Sequence, residues 1–301
     1  MRFVLLALVV TLTACSSAAD PGSRQLGEPT ATVGRQLGDP GAGRVAFGPP
    51  PRDSRAVHVL GAFEQLPNDT TWSDGLPPLD TDVATIATVA CEFGSDGCTS
   101  DLLGNLASAG VDVVNLEPAA RLSSADSLVD AIAAAERNGM AIAGRDDAGA
   151  QTAQAVESGV GTVVAVHSIQ IDSADISDVE QSLREEADRT DASIVLVSWG
   201  DVQGRSPSAQ QVSIAEGLID AGVLAIIGNG SVHLQRVERI GDGLVAYNLG
   251  HAFTNRAEPL ERDTAILRLV VDSPTESSCL LPATAEPQGP TLDNPLARWC
   301  G

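Results

Sequence analysis

The sequence contains no lysine. Its 18 basic residues are all arginine, against 40 aspartates and glutamates, for a formal net charge of −22 over 301 residues. Nothing in such a chain could neutralise a run of phosphates, so nucleic-acid binding is excluded, and so is a polybasic grip on anionic lipid. No Walker loop, no G-x-G-x-x-G and no H-E-x-x-H motif is present, so the common phosphate-cradling and zinc-protease signatures are missing. No apolar run is long enough to span a bilayer as a permanent helix. What is present is an ordinary apolar fraction, 43%, too high for wholesale disorder. The length suits one large α/β domain or two small ones.

The first fifteen residues point to export. A single positive charge, Met1-Arg2, precedes the apolar run Phe3–Val10 and then Thr11-Leu12-Thr13-Ala14-Cys15. Leu12-Thr13-Ala14-Cys15 fits the bacterial lipobox, in which the cysteine is acylated and becomes the new N-terminus; an ordinary signal peptide with a chance cysteine is the other reading. Residues 1–14 are therefore read as a lipoprotein signal peptide and Cys15 as the lipidated residue. Two or three acyl chains would hold the protein at the membrane, since each buried methylene adds about 0.8 kcal/mol. Residues 15–54 are Ser, Ala, Gly, Pro and Arg in loose order, a composition that cannot bury enough apolar surface to fold and suits a disordered tether. Within it Arg24-Gln25-Leu26-Gly27-Glu28-Pro29 recurs as Arg35-Gln36-Leu37-Gly38-Asp39-Pro40.

The four remaining cysteines, Cys91, Cys98, Cys279 and Cys300, are an even number in a compartment that permits disulfides. Three pairings are possible. The sequential one, Cys91–Cys98 and Cys279–Cys300, is expected, because Glu92–Gly97 is a flexible stretch that lets its ends meet and the Pro-rich C-terminus otherwise has little to hold it. A four-cysteine zinc site competes, but the paired short C-x-x-C knuckles of such sites are lacking.

From Arg55 onward strand and helix signals alternate. Strands are expected at Ala56–Phe63, Val83–Cys91, Val111–Leu116, Met140–Ala143, Gly161–His167, Ser193–Ser198 and Val223–Ile227. Helices are expected at Asp101–Ser108, Asp126–Arg137 (stopped by Asn138-Gly139), Gln151–Glu157, Ser173–Arg189 and Pro207–Ala221. The last third turns to β, with Leu234–Arg239, Gly243–Leu249 and Asp263–Val271. Alternating β and α followed by a β-rich end predicts a layered α/β sandwich.

Several blocks carry a family resemblance. Ile194–Gly200 ends in Ser198-Trp199-Gly200 and leads into Pro207–Gly222, with its Gln-x-x-x-Ala-x-x-Leu-Ile-Asp-Ala-Gly pattern. Ile226–Gln235 follows, then Val237-Glu238, a Gly-Asp-Gly turn and Leu244–Phe253. Upstream stand Ala109–Leu116 and Asn138–Gly144. In order and spacing this resembles the CapA family, the poly-γ-glutamate capsule synthesis proteins related to calcineurin-like metallophosphoesterases. The resemblance implies a calcineurin-like α/β/β/α sandwich over residues 55–272, with residues 273–301 a disulfide-tied tail.

The chemistry of the family departs where its metal ligands would stand. Such centres need carboxylates and imidazoles converging on one or two ions. Aligned on the family's motifs, Ala62 replaces an aspartate, Pro118-Ala119-Ala120 stands for Asn-Asn-His, Ser198 replaces the histidine of His-Trp-Gly, Asn229 and Gly230 replace a histidine pair, and Val232 a later histidine. Glu92 alone keeps a ligand type. The candidate cleft residues are thus Glu92, Asn115, Ser198, Trp199, Asn229, His233 and His251, with no catalytic residue, no metal and no cofactor expected. A site rebuilt from His233 and His251 with Glu92 or Asp201 is the alternative, in a divergent metal-dependent phosphoesterase of capsule-polymer biosynthesis. A serine hydrolase built on Ser198 and His233 fares worse, because Ser198-Trp199-Gly200 is no nucleophile elbow. The expected protein is extracytoplasmic, held to the membrane by its lipid anchor, and acts by binding or scaffolding an envelope polymer or envelope protein. Replacing Cys15→Ala should abolish incorporation of an acyl analogue and leave the signal uncleaved; labelling that persists in this variant would refute the lipobox.

Overall fold

Ala56–Phe63 (β1), Ala84–Val89 (β2) and Ala192–Ser198 (β8) are buried at every position. A strand reads this way when both faces of its sheet are covered. The computed structural model describes residues 56–63, 84–95, 98–145, 151–152, 154–158, 162–171, 183, 190–200, 204–253, 262–272, 278–286, 289–292 and 299–300. The signal segment, Cys15, the tether, Asp201 and nearly all of the helix expected at Ser173–Arg189 lie outside these residues.

The described strands continue in chain order with Val113–Asn115 (β3), Ala141–Arg145 (β4), Gln151–Thr152 (β5), Gln154–Ser158 (β6) and Thr162–Gln170 (β7), which precede β8. After it come Ala225–Asn229 (β9), Val237–Ile240 (β10), Gly243–Ala246 (β11), His251–Phe253 (β12), Asp263–Val270 (β13), Cys279–Glu286 (β14), Gly289–Leu292 (β15) and Trp299–Cys300 (β16). Helices are Asp101–Ser108 (α1), Glu117–Leu122 (α2), Ala125–Arg137 (α3) and Ala209–Asp220 (α4). One sheet runs β12-β14-β13-β1-β2-β3-β4-β5 with β15 and β16 on β14; the other runs β10-β11-β9-β8-β7-β6. The central strands, β1 to β4 in the first sheet and β7, β8, β9 and β11 in the second, are parallel to their neighbours within each group.

Strand alternation sorts the core into three slabs. Val57, Val59, Ile86 and Val113 of the first sheet meet Val164, Val166, Ile194, Leu196 and Ile227 of the second. The opposite face of the first sheet, with Leu60, Phe63, Ala87 and Val114, packs on Leu102, Leu103 and Leu106 of α1 and Ala131 and Ala135 of α3. The outer face of the second sheet, with Val195, Val197, Ile226 and Val245, packs on Ala215 and Leu218 of α4. The order of layers is therefore α/β/β/α. Helices α3 and α4 begin where side chains supply caps: Ser124 Oγ accepts from the Ser127 N–H, and Ser208 with Gln211 forms a reciprocal capping box.

Two expectations are corrected. The helix expected at Gln151–Glu157 is β-structure: Gln154–Ser158 pairs antiparallel with Thr162–Val166. Pairing with a buried strand outweighs a weak helical pattern. The C-terminal segment is not a tail outside the domain. Strand β14 pairs with β13 over Arg268–Asp263 and sends Leu280 into the inter-sheet slab and Leu281 into the helix-side slab. The short strand β12 and helix α2 also went unread in the sequence.

Cys91 and Cys98 are joined by a disulfide, with their Cα atoms 5.9 Å apart. Cys279 is disulfide-bonded and stands in register with Cys300 across β14 and β16. Peptide mapping without reduction should recover Cys279 linked to Cys300, a closure of about 20 residues worth roughly 3 kcal/mol in the chain-entropy model. A free thiol at either position in protein purified without reductant would overturn that pairing.

Candidate functional site

Follow each inter-sheet strand toward its C-terminal end and the apolar residues give way to polar ones on the same face. After Val164 and Val166, β7 places Ser168 and Gln170; after Ile194 and Leu196, β8 places Ser198; after Ala225 and Ile227, β9 places Asn229. In the first sheet, Thr88 follows Ile86 and Asn115 follows Val113. All six are buried. Because the strands within each group are parallel, these ends lie together along one rim of the sandwich.

Hydrogen bonds knit the rim. Ser168 Oγ donates to Asn115 Oδ1 at 2.8 Å, from one sheet to the other. The same oxygen accepts from the Glu117 backbone N–H at 3.0 Å, and Asn115 Nδ2 reaches Thr88 Oγ1 at 3.4 Å. Gln170, Ser198 and Asn229 stand side by side in register, and Ser198 Oγ donates to Asn229 Oδ1 at 3.0 Å. His251 opens β12 in register with Ala62. Its neighbour Ala252 packs in the helix-side slab, so alternation turns His251 toward the second sheet. Behind the rim, Asn248 braces the turn by donating to the Ser231 carbonyl and accepting from the Gly250 N–H.

Of the residues singled out in the sequence, Asn115, Ser198, Asn229 and His251 come to this rim. His233 is half-buried two positions past Ser231, whose Oγ accepts its backbone N–H at 3.1 Å. Glu92 is exposed on the disulfide-closed loop, where its carbonyl accepts from Ser95. Trp199 does not belong to the cleft. It lies on the outer face of the second sheet, donates Nε1–H to the Tyr247 carbonyl at 2.9 Å, and packs over Gly228, where a Cβ would collide with the indole. Gln170, Ser168 and Thr88 were missed. The sequence signal ends that strand at His167, whereas β7 runs on to Gln170 and Val164, Val166, Ser168 and Gln170 share one alternating face. Glu117, fully buried at the start of α2, was missed as well.

A phosphoesterase-type metal centre does not fit these donors. The rim side chains are amides and hydroxyls with one imidazole, with Glu117 buried beside them at the start of α2; a set dominated by neutral oxygens is a poor match for the carboxylate and imidazole ligands such a centre needs. Gly230 stands where the resemblance puts a second histidine. It has φ +111°, and a Cβ there would strike the Gly200 carbonyl, so the backbone itself leaves no room for a side chain. Among the described residues no three His, Cys, Asp or Glu side chains come together as a metal site.

Residues 97–256 match the family of bacterial capsule synthesis proteins, PGA_cap, over more than half of the chain. The chain belongs to that family. Its match begins just ahead of α1 and ends past β12, so it includes the rim strands β3, β7, β8, β9 and β12. No curated protein matches the chain. Among solved structures it is similar to one described as a 5'-nucleotidase from Staphylococcus aureus in complex with alpha-ketoglutarate, at 11% identity and a TM-score of 0.43, covering 77% of this chain and 53% of that one. The chain thus spans about half the length of that structure.

On the outer face of its second sheet, the capsule synthesis domain buries a charged cluster. Tyr247 Oη–H donates to Glu238 Oε1 at 2.6 Å, Arg236 bridges the same oxygen at 3.0 Å, and the guanidinium lies 5.4 Å from the Tyr247 ring centre. Burial pushes the phenol well above its ordinary value, and the hydrogen bond to Glu238 pushes it further. Below pH 10, the ordinary value, the phenol is protonated in folded and unfolded chains alike and its full contribution is present. Above it the unfolded chain ionises first, so stability falls as pH rises. Tyr247→Phe should flatten that alkaline decline and, by leaving Glu238 short of a donor, cost about 1–3 kcal/mol at neutral pH in denaturant unfolding. An unchanged alkaline slope would show that Tyr247 does not titrate as described.

Proposed function

We propose that this capsule-family chain is a membrane-anchored envelope lipoprotein whose domain binds or scaffolds an envelope polymer or partner and runs no metal-dependent hydrolysis. The observation that carries the reading is the rim itself, where Ser198 and Asn229 occupy positions at which the resemblance puts histidines, and bond to each other. Family membership supports a place in the envelope, and the lipobox at Cys15 supports the anchor. Among the described residues no helix is long and apolar enough to cross a membrane. The net charge of −22 would repel a polyanionic partner, most strongly at low salt where screening is weak, which favours an uncharged one.

Elemental analysis of the exported protein after dialysis should find well under one equivalent of manganese, iron or zinc, and phosphodiester model substrates should not turn over. Stoichiometric metal, lost in His251→Ala together with hydrolysis, would replace this reading by a rebuilt phosphoesterase site.

A further inference from the structure

On the inter-sheet rim, Gln170 is 3% exposed, Ser198 4% and Asn229 7%, and the three follow one another across β7, β8 and β9. Asn229 Oδ1 is taken by the Ser198 hydroxyl. Its Nδ2 is buried and meets no hydrogen-bond partner among the described residues, and neither does Gln170 Oε1. Buried amide groups left unmet cost free energy that folding alone does not recover. Here a buried donor and a buried acceptor stand on either side of one serine. We infer that the Gln170–Ser198–Asn229 row is a recognition slot for an uncharged secondary amide, which accepts from Asn229 Nδ2 and donates to Gln170 Oε1.

The geometry selects that chemistry over others. Gln170 and Asn229 are two strand spacings apart, about 9.6 Å between backbones. A trans amide points its N–H and C=O in opposite directions, so one group lying across Ser198 meets both flanks with two hydrogen bonds of about 2.9 Å. A single hydroxyl offers its donor and acceptor at one atom and reaches only one flank. A carboxylate or phosphate offers no donor to Gln170 Oε1, and the three side chains of the row supply no cation to offset the burial of its charge. No aromatic side chain belongs to the row, Trp199 being on the opposite face, so recognition rests on the amide rather than on stacking. The inference rests on the binding role proposed above and names the ligand chemistry of that site.

The test is a titration of the isotopically labelled mature protein, followed through the side-chain NH₂ resonances of Gln170 and Asn229. The probes are N-acetylglucosamine and N-acetylalanine methylamide, with glucose and acetate as matched compounds lacking the amide. Saturable shifts of both NH₂ groups with either amide probe, and none with glucose or acetate, are expected. The probe that binds more tightly tells a sugar N-acetyl group from a peptide amide. Gln170→Met and Asn229→Leu should each weaken binding about tenfold, as expected when a buried partner goes unmet. Where either variant unfolds, Asn229→Ser and Gln170→Thr, which shorten the reach but keep polarity, should show the same loss. Equal shifts with glucose, no shift with either amide, or undiminished binding by folded variants would overturn the inference. The metal assay reads separately: amide binding failing in a metal-free protein sinks only the slot, whereas bound metal sinks the reading on which it rests.

Discussion

The Ser168–Asn115 hydrogen bond is the point on which the arrangement of the rim depends. It crosses from the second sheet to the first at 2.8 Å, where the apolar slab ends. Packed sheets stand about 10 Å apart, and only interdigitated side chains fill the space. A short polar bond across the gap therefore fixes how the two sets of strand ends face one another. Asn115 multiplies the effect, because its oxygen also holds the first turn of α2 through the Glu117 N–H. Parallel strands do the rest. They bring all their C-terminal ends to one side, so a single alternating face on each strand supplies one position of the rim.

Much of this was legible because burial on both faces leaves a plain signature. Runs such as Ala56–Phe63 and Ala192–Ser198 are mostly apolar, with β-branched residues among them, and the sequence signal for α1 has its observed bounds. The misreadings have physical causes. Gln151–Ser158 has no strong period of either kind, and its partner strand decided its state. The segment beginning at Cys279 was read as a tail because its prolines and short length hid Leu280-Leu281, two adjacent apolar residues that a strand buried on both faces places in two different slabs.

The rim was legible in part. Motif spacing points to Ser198 and Asn229, each the last residue of its strand, and to His251, the first of β12. Trp199 fell in the same motif, yet a period of 2 puts it on the other face from Ser198. Gln170 and Ser168 have no counterpart in the motifs and could be found only from the alternation of β7. Gly230 is not a missing ligand awaiting restoration; its backbone conformation and the Gly200 carbonyl exclude any side chain. Ser198 donates to Asn229 Oδ1, so that oxygen is already engaged within the rim.

Diffraction from crystals of the protein soaked in manganese, recorded with anomalous signal at the metal's absorption edge, tests most directly the proposal that the rim holds no metal. The account predicts no anomalous peak among Asn115, Gln170, Ser198, Asn229 and His251, with the Ser198–Asn229 hydrogen bond intact. An ordered manganese ion ligated by His251 and the rim side chains, with that hydrogen bond broken to free its oxygens, would contradict it.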